Sequence, residues 1–171
     1  MGAKIDYAVF IEELDKKLQG YFESFGDNIC CKRGCSECCE CGDYPLSDLE
    51  LEYLMKGFIA LESSVKLQVQ NNIKNMVKGG VCPFLVNKEC SVYKYRPIIC
   101  RVHGLAYIYK DEEVKLPYCV EHNKNFAKIY DESGFVGQPI LANLDTSHIL
   151  DGLYKEIRNM YDWIKTNESS K

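Results

Sequence analysis

The chain has 171 residues, a net charge of −4, 46% hydrophobic residues and 27% charged ones. That balance suits one soluble globular domain with a real core and leaves little room for a second. The acidic excess argues against a polyanion partner, and the basic residues beside the cysteines (Lys32, Arg33, Arg96, Arg101) are too sparse for a nucleic-acid stripe. No stretch approaches the ~20 apolar residues of a membrane span. The start, Met1-Gly2-Ala3-Lys4-Ile5-Asp6, has neither the apolar run of a secretory signal nor the Ser or Thr of a myristoylation site. The expected location is therefore the cytoplasm.

In chain order, Ile11, Leu14, Leu18, Tyr21, Phe22 and Phe25 recur at helical spacing and predict an amphipathic helix over Ile5 to Phe25, its aromatic stripe in the core. Gly26-Asp27-Asn28 ends it, and a cysteine-dense loop runs from Cys30 to Cys41. Ser47 and Glu50 stand at capping-box spacing and open a helix to about Leu61. Another begins near Ser64 with Val65, Val69, Ile73 and Met76/Val77 on one face, stopped by Gly79-Gly80. Phe84 to Val86 and Cys90 to Tyr93, around Asn87-Lys88, predict a short hairpin or two tight turns, and Pro97 opens a helical turn carrying Cys100. A second small hairpin is expected over Leu105–Tyr109 and Val114–Leu116, then a segment from Cys119 to about Tyr130 of helical character. A last helix is expected from Asp145 or Thr146 through Ile164, with Ile149, Leu153, Ile157, Met160/Tyr161 and Ile164 inward. The fold expected is mainly α with small β-hairpins, a single irregular α+β domain over 1–171 organised around a cysteine-ligated metal site at about 30–122.

Ten cysteines are the compositional anomaly. In a reducing compartment they read as metal ligands or redox centres rather than as a disulfide framework. Crowding supports this, because the neighbours Cys30-Cys31 and Cys38-Cys39 rarely reach good disulfide geometry with each other. One block is Cys31-x3-Cys35-x2-Cys38-Cys39, with Cys30 and Cys41 beside it. The other comprises Cys82-Pro83-Phe84-Leu85, Cys90, Arg96-Pro97-x2-Cys100-Arg101 and Cys119. Soft thiolate sulfur suits zinc and iron, and loops with Gly34 and polar Ser36-Glu37 permit wrapping around an ion.

These residues resemble the YkgJ-like, CxxCxxCC-type family of cysteine-cluster proteins. The resemblance is carried by the first block, by Cys82-Pro-Phe-Leu through Cys90-Ser-Val-Tyr to Tyr95-Arg-Pro-Ile-Ile-Cys100-Arg101, and by the helix start Leu46-Ser47-x2-Glu50. It implies zinc or iron chelation, with ligands at Cys31, Cys35, Cys38, Cys39, Cys82, Cys90, Cys100 and Cys119, and leaves the reaction open. Flagellin lysine methylases look similar in this block, yet they are longer, and no methyl-donor site is visible here.

Adjacent Cys38-Cys39 fits awkwardly on one tetrahedral zinc, which tilts the expectation towards a [4Fe–4S] cluster, with zinc kept as the alternative. Arg96 and Arg101 are candidates to offset thiolate charge, with ion pairs to Asp and Glu as the alternative; His103 is a candidate to approach the site, against the more ordinary reading of a histidine satisfied by backbone or water. The stretch Cys31-x3-Cys35-x2-Cys38 also resembles the motif of radical S-adenosylmethionine enzymes. Those set it after the first strand of a large α/β barrel, whose alternation of strands and helices is missing here. Three readings follow: a metal or iron–sulfur protein for redox, cluster or metal handling, a metal-dependent enzyme with an open metal position or free thiol, and a purely structural site.

Overall fold

Asp6 caps the first helix, α1 (Tyr7–Ser24), its carboxylate accepting the Ala8 N–H at 2.9 Å. The computed structural model that shows this describes residues 6–40, 42–108, 114–115, 124–125, 140–141 and 155–168. These residues are mainly helical with small strand pairs, an irregular α+β arrangement. They divide into two compact units, 1–31 with 101–151, and 32–100 with 152–171.

In the first unit, α1 buries Phe10, Ile11, Leu14 and Leu18, whereas Tyr21, Phe22 and Phe25 are only half-buried. The aromatic end of the expected core stripe thus lies at the margin. Asp15 on this helix is paired with the buried guanidinium of Arg101. The expected hairpin forms as β4 (Ala106–Ile108) antiparallel to β5 (Val114–Lys115), and β6 (Ile140–Leu141) adds a parallel neighbour. Only Lys124 and Asn125 of the segment from Cys119 to Tyr130 fall among the described residues.

The second unit starts with a turn whose Cys35 N–H reaches the Lys32 carbonyl at 2.9 Å, with Gly34 at φ +93°, where a side chain would strain the backbone. A single helical turn, α2 (Glu37–Glu40), carries Cys38 and Cys39. After β1 (Pro45–Ser47), α3 (Asp48–Ile59) begins on the predicted capping box. The Ser47 side chain accepts from the Glu50 N–H at 3.2 Å, and the Glu50 carboxylate accepts from the Ser47 N–H at 2.7 Å. The following helix, α4 (Ser63–Asn75), buries Val69 and ends before Gly79-Gly80. Lys165 Nζ donates to the carbonyls of Ile73 and Lys74 at 2.9 and 3.4 Å and so satisfies that end.

The predicted hairpin is β2 (Leu85–Val86) with β3 (Glu89–Cys90), joined by Asn87 at φ 52° and Lys88 at φ 63°. Two positive φ values suit a tight two-residue loop, but Lys88 carries a Cβ into the left-handed region. Lys88→Gly should therefore stabilise the unit by about 1 kcal/mol, read as a higher urea midpoint; an unchanged or lower midpoint would contradict the strain. A 3-10 turn (Tyr93–Tyr95) and α5 (Ile98–Val102) follow, the latter directly after Pro97 as expected. Gly57 of α3 lies against Tyr95, whose nearest ring atoms would stand 2.5 and 2.6 Å from a Cβ there.

The expected last helix is corrected where it is described. Ile157–Asn159 is a strand, β7, antiparallel to β1 with Pro45 opposite Asn159, and Ile157 is exposed. Helix α6 (Met160–Glu168) begins only after it, where the Tyr161 N–H meets the Asp43 carboxylate at 2.9 Å and the Met160 N–H meets the Tyr44 carbonyl at 3.0 Å. The helical spacing of Ile157 with Met160/Tyr161 and Ile164 yields to pairing with a strand more than 100 residues earlier. The portion over 145–154 lies outside the described residues. Leu46, Leu54, Val69, Phe84, Val92, Met160 and Ile164 form the core of this unit, with Cys82 and Cys90 packed on its edge.

Candidate functional site

Cysteines from both blocks meet within the second unit. The Cys82 N–H donates to the Cys39 carbonyl at 2.8 Å, and the Tyr44 hydroxyl donates to the Cys38 carbonyl at 2.9 Å. Below the first contact, Cys82-Pro-Phe-Leu folds into a turn with Leu85 N–H on the Cys82 carbonyl at 3.0 Å, and the Phe84 carbonyl accepts from the Ser91 N–H and hydroxyl at 2.9 Å each. Phe84 itself is buried, edge-on to Phe58 at 6.4 Å, so the thiol loop is anchored by a core aromatic. Cys100 sits in α5, its N–H on the Pro97 carbonyl at 3.1 Å.

The thiols in this cluster feel one another. A hydrogen bond with Cys38, then burial, then the charges of Cys38, Cys82 and Cys100 raise the Cys39 thiol well above the ordinary thiol range. Burial pushes Cys82 up to about 12, against the opposing pull of the Phe84 and Leu85 N–H groups, with Cys90 and Cys38 adding to the rise. Cys100 is raised likewise, first by burial and then by Cys82, Cys90 and Cys38. Arg96 pulls the other way; it stacks 3.5 Å over the Tyr93 ring and donates to the carbonyls of Tyr93 and Cys100 at 3.0 and 3.4 Å. Burial and neighbouring thiols thus favour the protonated form of Cys39, Cys82 and Cys100, and no disulfide joins two of the described cysteines.

Cys35 lies half-buried at the end of its turn. In the first unit, Asn125 is 1% exposed. Its amide oxygen accepts from the Cys30 N–H at 2.6 Å, while its nitrogen donates to the Cys31 sulfur at 3.0 Å and the Gly104 carbonyl at 2.9 Å. A Cβ at Gly104 would stand 2.5 Å from the Cys31 sulfur. Sequence reasoning missed Asn125, and no local pattern announces it. Arg101 is turned to Asp15, and burial lowers the pKa of His103, which favours the neutral ring. Cys41, Cys119, His122 and His148 lie outside the described residues.

The metal expectation is corrected here. Among the described residues, no three Cys, His, Asp or Glu side chains are grouped so that they could hold a metal ion. The zinc or [4Fe–4S] partner and cofactor expected at Cys31, Cys35, Cys38, Cys39, Cys82, Cys90 and Cys100 therefore find no fit among these residues, and the three metal-based readings lose their footing. The physical reason is one of placement: the side chains of these cysteines are not gathered three to a point. The nearby carboxylates are also engaged elsewhere: Glu40 with the Ser36 hydroxyl at 2.6 Å, Glu89 with Arg33 at 3.3 Å, and Glu50 in the capping box.

Two thiol blocks joined by the contact of Cys39 with Cys82 define a cysteine-cluster protein. Residues 30–129 match the CxxCxxCC family model, described as a putative zinc- or iron-chelating domain, and the chain belongs to that family. No curated protein and no solved structure matches the chain. Among the described residues, no helix is long and apolar enough to cross a membrane.

Proposed function

We propose that the second unit is a dithiol–disulfide redox module in which Cys39 and a thiol of the second block, Cys82 or Cys100, exchange two electrons with a disulfide-bearing partner. The observation that carries this reading is the shared, half-buried site, held by the Cys82 N–H on the Cys39 carbonyl at 2.8 Å. In the reaction, one thiol loses its proton and attacks a sulfur of the partner's disulfide. A mixed disulfide forms and the partner's other sulfur leaves as a thiolate. The second thiol then attacks the mixed disulfide, closing the internal S–S bond and releasing the remaining partner sulfur. Two thiols are oxidised, one disulfide becomes two thiols, and the two protons end on the leaving sulfurs.

Raised thiol pKa values slow the first attack, because the thiolate is the nucleophile. The module is thus suited to holding electrons, as a reserve or a slow sensor, rather than to fast turnover. The reaction needs its thiols reduced at rest, which a reducing, cytoplasmic setting supplies. The match over 30–129 supports a cysteine module at about 30–122 within the chain.

Equilibrating the reduced protein in glutathione redox buffers, with thiols counted by alkylation and mass, tests the reading. Two thiols per chain should disappear in one reversible step while the helical circular dichroism is kept. Loss of thiols only on unfolding, or only as glutathione adducts, would sink it.

A further inference from the structure

Glu50 is a charged residue only 8% exposed, and the helix cap accounts for just one of its carboxylate oxygens. Oε2 accepts from the Ser47 N–H and hydroxyl at 2.7 and 2.9 Å. Oε1 accepts from the N–H of Ile98 at 3.0 Å, 48 residues further along the chain. Ile98 is the first residue of α5, where an N–H has no partner within the helix. It stands two residues before Cys100 and directly after Pro97, which has no N–H to offer. A charge-assisted bond at that point fixes where the turn bearing Cys100 begins. Because burial of a carboxylate is costly unless its oxygens are satisfied, the anchor is also hard to rearrange.

We propose that Glu50 is a positioning residue for the thiol site, holding α5 so that Cys100 stays within reach of Cys39 and Cys82. This rests on the redox reading above for its consequence: Glu50 decides how readily Cys100, rather than Cys82, becomes the partner of Cys39. It touches no reacting sulfur.

Glu50→Gln keeps the shape but has one acceptor oxygen, so the Ser47 cap and the Ile98 N–H cannot both be served. After mild oxidation, the Cys39–Cys100 disulfide should fall about tenfold relative to Cys39–Cys82, the scale of one lost hydrogen bond to a charged group. Ser47→Ala is the control; it weakens the cap, leaves the Ile98 contact, and should lower the melting temperature without moving that ratio. In the reduced protein, alkylation of Cys100 by N-ethylmaleimide should rise about tenfold in Glu50→Gln while that of Cys82 holds. An unchanged Cys100 alkylation rate in Glu50→Gln, or a Ser47→Ala ratio displaced as far as that of Glu50→Gln, would overturn the proposal. Wild-type protein that forms neither disulfide would instead end the redox reading, and the alkylation rates would still decide the role of Glu50.

Discussion

Replacing Phe84 by alanine should cost about 3–5 kcal/mol of stability, the range for a buried phenylalanine. Phe84 is 1% exposed, belongs to the core formed with Leu54, Val69 and Met160, and meets Phe58 edge-on. Its carbonyl receives Ser91 twice, and its N–H is directed to the Cys82 thiol. One residue therefore ties the core to the thiol loop, and the cavity should loosen Cys82 as well as the packing. Urea unfolding under reducing conditions gives the first effect, and the rate of Cys82 alkylation in native buffer the second. Should Phe84→Ala fail to fold, Phe84→Leu offers a milder cavity, with an expected loss of about 1 kcal/mol. A loss well below these figures, with Cys82 no more reactive, would mean that the loop is held by something else.

Alkaline pH should destabilise the reduced protein steeply. Cys82 is raised from 9.0 to about 12, and Cys39 and Cys100 are raised too, so the folded chain keeps protons that the unfolded chain releases. Where the folded state binds more protons, stability falls as pH rises. The contribution is therefore fully present below about pH 9 and is lost between 9.0 and about 12 for Cys82. The slope is up to about 1.4 kcal/mol per pH unit for each thiol still protonated in the fold. Urea midpoints at neutral and alkaline pH should show this decline, and Cys82→Ala should make it shallower. A midpoint that holds through the alkaline range, or a decline identical in Cys82→Ala, would contradict buried protonated thiols.

Much of the local structure was legible in the residues. Ser47 and Glu50 announced the start of α3, Asn87-Lys88 the hairpin turn, and Pro97 the onset of α5, because each signal acts within a few residues. What escaped depends on distance along the chain. The strand at Ile157–Asn159 continues a helical apolar pattern, and only its partner Pro45–Ser47 makes it a strand. Lys165 closing α4, Asn125 beneath Cys30 and Cys31, and the second role of Glu50 are likewise long-range contacts. The candidate site was legible as two blocks of cysteines, and the fold brings Cys39 of the first against Cys82 of the second. The metal was not, because spacing names the thiols but does not fix how their side chains are grouped, which comes only with the fold.

The central claim is that Cys39 shares one half-buried site with thiols of the second block. Mild oxidation of the folded, reduced protein with diamide, followed by peptide mapping of every disulfide, tests it most directly. The predicted product is an intramolecular bond from Cys39 to Cys82 or Cys100, formed without unfolding. Disulfides confined to one block, or forming only between chains, would contradict it.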